Sequence, residues 1–216
     1  LETDVHASAD GVLVVCHDPT LERVAGQPVT IGDLPWRQLK QARVAGTEVL
    51  PRLDELLACW PHARFNIDAK DDAALLPLAQ LLVTNRLMER VCVTSFSDRR
   101  LNWLRRHLGP GLCTAAGPLQ VANLRLASLL PAAGRRGRPR GRRGAHAVQV
   151  PLRWGAVPVV DRRLVTAAHR AGLAVHVWTI DDTRAMEVLL DMGVDGIMTD
   201  HPTRLRAVLE GRGRWV

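Results

Sequence analysis

Two periods of apolar and polar residues alternate along the chain, and they predict strands interleaved with helices. Short apolar or alternating runs predict strands at residues 1–5, 12–15, 64–68, 91–95, 112–115, 147–150, 174–179 and 196–199. Apolar residues at helical spacing predict helices at residues 34–41, 53–59, 71–85, 98–107, 119–130, 161–171, 182–192 and 203–210. Strands that alternate with helices in this way are typical of an α/β fold with parallel strands.

The predicted helices carry recognisable start and stop signals. Asp71 and Asp72 favour a helix start, because acidic side chains suit the positive end of the helix dipole. Gly193 favours a helix stop, because glycine readily adopts the left-handed conformation of a C-cap. No glycine-rich phosphate-binding loop opens any of these helices, so the sequence does not support a dinucleotide-binding fold.

The first 18 residues carry the strongest candidate chemistry. Glu2 and Asp4 are two positions apart on a strand, so their carboxylates face the same side. Such a pair persists when a cation or a shared proton lies between the two groups. A turn at residues 9–11 then returns the chain, and the next strand ends at His17-Asp18. A Glu-x-Asp pair alone is most often a solvated surface, but a carboxylate pair with an imidazole at one rim indicates phosphoester chemistry.

Length and charge narrow the class of protein. A chain of 216 residues with 47% hydrophobic residues can form one domain with a sizeable core. The net charge of +7 comes almost entirely from residues 135–144, since removing their six arginines leaves 23 basic against 22 acidic residues. Glycine and proline interrupt this segment and no aromatic residue is interleaved, which favours a solvated, flexible loop at about residues 134–145 over a nucleic-acid-binding surface.

The cysteines and the longest apolar runs give two further expectations. Cys16, Cys59, Cys92 and Cys113 are scattered without metal-type spacing, which predicts small buried residues in a reducing compartment and a cytoplasmic protein. No apolar run approaches the roughly 20 residues of a membrane span. We therefore expect neither a membrane-spanning segment nor a nucleic-acid partner.

Several short motifs follow one another from the first residue to residue 202. They are Glu2-x-Asp4-Val5-His6, Asp10-Gly11, His17-Asp18 continued to residue 23, residues 50–57, residues 66–70, Ser95-Phe96, residues 177–181 and residues 193–202. In this order they resemble the glycerophosphodiester phosphodiesterase family over nearly the whole chain. No single motif is specific, but the ordered set is.

The resemblance implies a TIM-type (β/α)8 barrel of the phospholipase-C-like phosphodiesterase kind. Its active site lies at the carboxyl ends of the strands. The family's chain begins with a strand that carries His-Arg-Gly, upstream of the Glu-x-Asp strand. This first strand and the helix after it include one of the family's two catalytic histidines. Because this sequence starts inside the Glu-x-Asp strand, we expect an N-terminally incomplete member that lacks the first βα unit, with impaired activity.

The resemblance also implies a metal site. Glu2, Asp4 and Asp68 would hold one divalent cation, with Asp68 at a position where the family usually has Glu. An oxygen-only ligand set suits Ca²⁺ or Mg²⁺. Lys70 would bring positive charge to a phosphate oxygen. By itself, the Asp68-x-Lys70 pair also fits a surface ion pair.

Two further residues gain roles from the resemblance. His17 would transfer protons while the glycerol 2-hydroxyl attacks phosphorus, and water would then open the cyclic phosphate to give glycerol 3-phosphate and an alcohol. Trp178 would pack on the glycerol portion of a small glycerophosphodiester substrate, although core packing explains it equally well. Residues 28–44 would lie over the active site.

Two alternatives from other classes stay open. One is a non-catalytic or structural barrel remnant that binds a metal or a phosphate ligand. The other is a nucleic-acid-binding protein, which rests only on the arginine-rich segment.

Overall fold

The computed structural model describes residues 1–129 and 144–215, in which strands alternate with helices. The strands are β1 (Glu2–Ala7), β2 (Leu13–Val15), β3 (Arg43–Val44), β4 (Glu48–Val49), β5 (Phe65–Ala69), β6 (Val91–Thr94), β7 (Cys113–Thr114), β8 (Ala147–Pro151), β9 (Arg153–Trp154), β10 (Val157–Pro158), β11 (Ala174–Trp178) and β12 (Gly196–Ile197). The helices are α1 (Glu22–Ala25), α2 (Trp36–Leu39), α3 (Leu53–Cys59), α4 (Leu75–Thr84), α5 (Asp98–Leu108), α6 (Pro118–Leu129), α7 (Arg162–Arg170), α8 (Thr183–Met192) and α9 (Pro202–Gly211). Single 3₁₀ turns lie at Ile31–Asp33 and Gly109–Gly111.

The predicted order of strands and helices is confirmed, with differences at boundaries and in short elements. Helix α4 begins at Leu75 rather than at residue 71, because the Asp71 carboxylate accepts a hydrogen bond from the Ala74 amide at 2.7 Å ahead of it. The hairpins β3–β4 and β9–β10 escaped prediction, since strands of two residues carry no readable period.

The described chain divides into two units, Leu1–Gly117 and Pro118–Val216. The sheet of the first unit has the order β2-β1-β5-β6-β7. Strands β1, β5, β6 and β7 are parallel, and β2 is antiparallel to β1 at the edge. This arrangement follows from chain connections: a tight turn joins β1 to β2, whereas the parallel strands are joined through longer crossovers.

Successive side chains of β1, β5 and β6 point alternately to the two faces of the sheet, one of which is apolar and packed and the other polar. Val5, Ile67 and Val93 are fully buried and belong to one apolar cluster with residues of α4 such as Leu78 and Leu82. The residues between them on the strands, including Asp4 and Asp68, point to the other face. The packing of α4 on one face therefore leaves the opposite face of these strands for chemistry.

The sheet of the second unit has the order β12-β11-β8, and its pairings are parallel. Asp161 and Asp182 cap the starts of α7 and α8 by accepting hydrogen bonds from Leu164 and Ala185 amides. Gly193 ends α8 with a φ of 92°, so its predicted role as a C-cap is confirmed.

The α/β class with parallel strands is confirmed, but a closed barrel is not seen. Within residues 1–129 and 144–215, the parallel pairings fall into two separate sheets rather than one ring of eight strands. The expectation that a first βα unit is missing stays a prediction. Most of the arginine-rich segment, together with its predicted flexibility, lies outside the described residues.

No helix in the described ranges is both long enough and apolar enough to cross a lipid bilayer.

Candidate active site

The register of β1 against β5 brings two predicted metal ligands together. Asp4 is the direct partner of Asp68, so their side chains lie side by side on the polar face of the sheet. Glu2 precedes Asp4 by two residues and projects to the same face, beside Asn66. Strand pairing thus gathers three carboxylates that are 66 residues apart at their extremes.

Lys70 lies between Asp4 and Asp68. Its Nζ is 2.8 Å from Asp4 Oδ1 and 2.8 Å from Asp68 Oδ2. The two Asp side chains and the lysine are largely shielded, with exposed fractions of 17%, 5% and 18%. Although burial alone would lower the pKa of Lys70, its hydrogen bonds to Asp4 and Asp68 hold that pKa above its usual value. The surface ion pair considered for Asp68 and Lys70 is therefore a largely buried ion triad.

The negative charges of Asp4 and Asp68 act on the carboxyl group of Glu2. Burial, followed by repulsion from Asp4 and Asp68, raises the pKa of Glu2 to about 7, although Lys70 and His17 partly oppose the shift. One lysine thus does not fully balance the three carboxylates, and the group retains the capacity to attract a further cation.

The donor chemistry suits a hard cation, but the arrangement is not a formed metal site. Asp68 Oδ1 is buried and has no hydrogen-bond partner among the described residues, which leaves a carboxylate oxygen available as a ligand. Across residues 1–129 and 144–215, no three His, Cys, Asp or Glu side chains surround a point closely enough to hold a metal ion. Lys70 fills the position between Asp4 and Asp68 instead, so the three-carboxylate metal set stays a prediction.

The predicted hairpin brings His17 back beside β1. Val5 pairs with Val15, and the Cys16 amide donates a hydrogen bond to the Asp4 carbonyl oxygen at 3.1 Å. His17 Nδ1 lies 2.6 Å from Asp18 Oδ1, and Arg23 Nε donates to Asp18 Oδ2 at 2.6 Å. These hydrogen bonds, from Arg23 first and His17 second, hold the pKa of Asp18 well below its usual value. The Asp18 carboxylate orients the imidazole and leaves Nε2 for exchange with solvent or a ligand.

A cavity of about 510 Å³ opens between the hairpin and the ends of β1 and β5. Its lining residues are His6, Ala7, His17, Pro19, Thr30, Gly32, Lys70, Asp71 and Ala73. Two predicted catalytic residues, His17 and Lys70, therefore share one cavity. Thr30 and Gly32 come from the segment expected to cover the site.

His6 lines this cavity, as its shared face with Glu2 and Asp4 predicts, but its contact with Asp71 was not predicted from the sequence. His6 Nδ1 lies 2.9 Å from Asp71 Oδ2, and its Nε2 lies 3.3 Å from the His17 carbonyl oxygen. Asp71 Oδ2 also accepts a hydrogen bond from the Ala7 amide. The shared face of His6, Asp4 and Glu2 was readable from the alternation on β1, but the partnership with Asp71 depends on how β1 and β5 pair.

Trp178 lies half-buried at the carboxyl end of β11 in the second unit, where it pairs in register with Pro151 of β8. Its strand-end position agrees with the prediction. Its contact with substrate stays a prediction.

The cysteines differ in part from expectation. Cys16 is buried as predicted, but Cys59 is exposed, and Cys92 and Cys113 are partly exposed. The last two, scattered in sequence, are direct partners across β6 and β7.

Comparisons with known proteins agree with the motifs. Residues 1–204 match the sequence model of the glycerophosphoryl diester phosphodiesterase family. The chain is 38% identical over 215 residues to "Probable glycerophosphodiester phosphodiesterase 2" of Mycobacterium tuberculosis, covering 100% of this chain and 81% of that protein. It is 27% identical over 223 residues to a glycerophosphodiester phosphodiesterase of Caldanaerobacter subterraneus, covering 95% of this chain and 83% of that protein.

Solved structures share the fold. A glycerophosphodiester phosphodiesterase from Agrobacterium tumefaciens superimposes with a TM-score of 0.75 at 23% identity, covering 97% of this chain and 86% of that chain. An Oleispira antarctica phosphodiesterase in complex with the product sn-glycerol-3-phosphate superimposes with a TM-score of 0.72 at 19% identity, covering 97% of this chain and 84% of that chain. With a family match across residues 1–204 and a relative above one-third identity, this chain belongs to the glycerophosphoryl diester phosphodiesterase family.

Proposed function

We propose that this chain hydrolyses glycerophosphodiesters to glycerol 3-phosphate and an alcohol, with the help of one divalent cation. One observation carries the proposal: His17, whose Nδ1 is engaged by Asp18, lines the same cavity as Lys70, beside three carboxylates. Family membership and the names of the relatives support the substrate class. The fold neighbour from Oleispira antarctica is in complex with sn-glycerol-3-phosphate, the product expected here.

His17 is the proton-transfer group in this proposal. Because Asp18 engages Nδ1, Nε2 accepts the proton of the glycerol 2-hydroxyl as that oxygen attacks phosphorus. The P–O bond to the head group breaks, and the departing alkoxide takes a proton from solvent and leaves as the alcohol. When water opens the cyclic phosphate, the imidazolium returns its proton to the 2-oxygen, and the attacking water releases a proton to solvent. His6 is unsuited to this role, since both of its ring nitrogens face oxygen acceptors within the protein.

Lys70 supplies fixed positive charge to the phosphate. Negative charge grows on the nonbridging oxygens in the transition state, where a preorganised ammonium group is most effective. Glu2, Asp4 and Asp68 would hold Ca²⁺ or Mg²⁺, which polarises a phosphate oxygen when bound. The unpartnered Oδ1 of Asp68 supports this assignment. The aromatic face of Trp178 is proposed to pack on the glycerol carbons.

The decisive experiment is a hydrolysis assay with the full 216-residue chain. Release of glycerol 3-phosphate from glycerophosphocholine is measured with Ca²⁺, with Mg²⁺ and with a chelator. We expect cation-dependent release that falls about 10²- to 10⁴-fold in His17→Ala, because a positioned acid–base group contributes that much. His62→Ala is the matched control, since His62 is an exposed histidine outside the cavity lining. Release that persists in chelator would refute the metal role, and full activity of His17→Ala would refute the proton-transfer role.

One observation favours a second candidate function. The Lys70 ammonium already occupies the place between Asp4 and Asp68, as expected of a barrel that binds a phosphate ligand without catalysis. The same preparation distinguishes the two functions. A chain that binds glycerol 3-phosphate in calorimetry but releases none from glycerophosphocholine, with either cation, is a non-catalytic binding protein.

A further inference from the structure

Cys92 and Cys113 face each other on neighbouring strands. They are direct Cα partners in the parallel pairing of β6 with β7, so their side chains project to the same face. Neighbouring strands lie about 4.8 Å apart, which is within the roughly 4.4–6.8 Å range of Cα separations in disulfides. Each thiol is the largest influence on the pKa of the other, as expected of two side chains in close contact. Both sulfurs are therefore placed to bond to each other without a change in strand register.

The surroundings make the two thiols unequal. The neighbouring Cys92 thiol lowers the pKa of Cys113 to about 7, although burial opposes the shift. The same contact, together with burial, raises the pKa of Cys92. Arg105 of α5, held by hydrogen bonds from Nε to Thr114 Oγ1 at 2.9 Å and from Nη2 to the Ala115 carbonyl oxygen at 2.8 Å, adds positive charge near Cys92. Cys113 is thus the stronger nucleophile of the pair.

Neither cysteine residue is fully buried. Cys92 and Cys113 are both partly exposed, whereas Cys16 is buried and Cys59 is exposed. A small oxidant can therefore reach the pair. Cys59, an exposed cysteine at the end of α3, provides an internal comparison for a thiol that lies outside the sheet.

We propose that Cys92 and Cys113 form a reversible dithiol–disulfide site that takes a peroxide as its oxidant. The Cys113 thiolate attacks one oxygen of hydrogen peroxide, forming an S–O bond and breaking the O–O bond, and the released hydroxide takes up a proton to become water. The Cys92 sulfur then attacks the sulfenic sulfur, forming the S–S bond. The S–O bond breaks, and the departing hydroxide takes the Cys92 proton and leaves as a second water. The two thiols lose two electrons and two protons in total, and the peroxide is reduced to two waters.

The site lies on β6 and β7, in the same sheet as β1 and β5, which carry the candidate active site. Cys92 is the register partner of Asn66, two residues along β5 and β6 from the pairing of Asp68 with Thr94. A disulfide here ties β6 to β7 covalently beside those strands. Disulfides that solvent can reach are more readily reduced than buried ones, and the partial exposure of both cysteines makes the site reversible. The proposal does not depend on the hydrolytic activity.

The test uses the full chain with about one equivalent of hydrogen peroxide. Free thiols are counted after denaturation, and tryptic peptides are identified by mass spectrometry. We expect two of the four cysteines to be lost and the peptides 91–99 and 107–125 to be joined with the loss of two hydrogens. Dithiothreitol should restore all four thiols.

Two single-cysteine variants test which cysteines form the cross-link. Cys59→Ser should leave the cross-link unchanged, whereas Cys92→Ser should abolish it and let dimedone trap a sulfenic acid on Cys113. The proposal is overturned if the unsubstituted chain keeps its Cys92 and Cys113 thiols while Cys59 is oxidised. It is also overturned if peptides 91–99 and 107–125 are never joined. Both outcomes are read from the unsubstituted chain, so they do not depend on how the variants fold.

Discussion

At the scale of single residues, the His6 ring connects two parts of the candidate site. Its side chain is 8% exposed, and its two nitrogens lie 2.9 Å from Asp71 Oδ2 and 3.3 Å from the His17 carbonyl oxygen. Asp71 is itself fixed, since its Oδ1 accepts a hydrogen bond from the Ala74 amide. Although burial alone would raise the pKa of Asp71, the His6 and backbone hydrogen bonds keep that pKa below its usual value. His6 therefore anchors the His17 backbone to the start of α4.

This geometry predicts that His6 positions His17 without touching the substrate. His6→Ala should lower kcat by about 10- to 100-fold, as is typical when a supporting partner is removed, and should change KM much less. His6→Gln should recover part of the loss, because its amide N–H can donate to the His17 carbonyl oxygen. Steady-state kinetics on glycerophosphocholine, with His62→Ala as control, measure both constants. Equal kcat in His6→Ala and the unsubstituted chain would contradict the prediction, as would a loss seen only in KM.

The limits of sequence reasoning at this scale have a physical cause. Glu2, Asp4 and His17 were identifiable because two-residue spacing and a short hairpin are local features. The placement of Lys70 between two carboxylates was not, because a flexible four-carbon side chain can reach several partners. The His6–Asp71 hydrogen bond joins residues 65 positions apart, so it depends on strand pairing.

At the scale of elements, Asp195 links the residue just before β12 to β11 by hydrogen bonds. Its Oδ2 accepts hydrogen bonds from the Val175 amide at 2.7 Å and from His169 Nε2 at 2.8 Å. Its own amide donates to the Val175 carbonyl oxygen at 2.9 Å. Burial alone would raise the pKa of Asp195, but the Val175 amide and His169 hold that pKa below its usual value. The ionised carboxylate is therefore the form that stabilises the fold.

The sign of this shift predicts a pH-dependent contribution to stability. A carboxyl whose pKa is lower in the folded state stabilises the fold above its unfolded pKa of about 3.9, and this contribution disappears as pH falls through the folded pKa. Asp195→Asn should lower the free energy of unfolding by about 1 kcal/mol at pH 7, a modest value because Asp195 is partly exposed to solvent. The difference should shrink at about pH 3. Urea unfolding at both pH values measures it, with Asp33→Asn as an exposed control. The same loss at both pH values would show that the charge of Asp195 is immaterial.

Long elements were predictable, whereas the short hairpins β3–β4 and β9–β10 were not. Helix α8 carries both an apolar period and the Gly193 stop signal, so two independent features located it. The strands of the hairpins β3–β4 and β9–β10 span two residues each, and their existence depends on tertiary pairing. For the same reason the Cys92–Cys113 pair was invisible in sequence. Only the register of β6 on β7 brings residues 21 positions apart into contact.

At the scale of the whole molecule, charge is distributed unevenly along the sequence. The formal net charge is +7, yet the six arginines within residues 135–143 account for nearly all of it. Outside them, 23 basic residues face 22 acidic residues. The predicted catalytic and metal-binding residues all lie outside this segment. Its composition, rich in arginine and interrupted by glycine and proline, lacks the apolar residues that would let it pack.

We predict that residues 135–143 contribute neither to the stability of the fold nor to hydrolysis. Replacing residues 135–143 with a Gly/Ser linker of equal length should change the free energy of unfolding by less than about 0.5 kcal/mol, as surface substitutions usually do. Hydrolysis of glycerophosphocholine and its cation dependence should be unchanged. Retention on an immobilised polyanion such as heparin should fall, because that association depends on the number of phosphate-like contacts that arginines can make. Urea unfolding, steady-state kinetics and the salt concentration of elution measure the three quantities. A stability loss of several kcal/mol would mean that the segment packs against the protein, and a selective loss of hydrolysis would mean that its arginines act on the substrate.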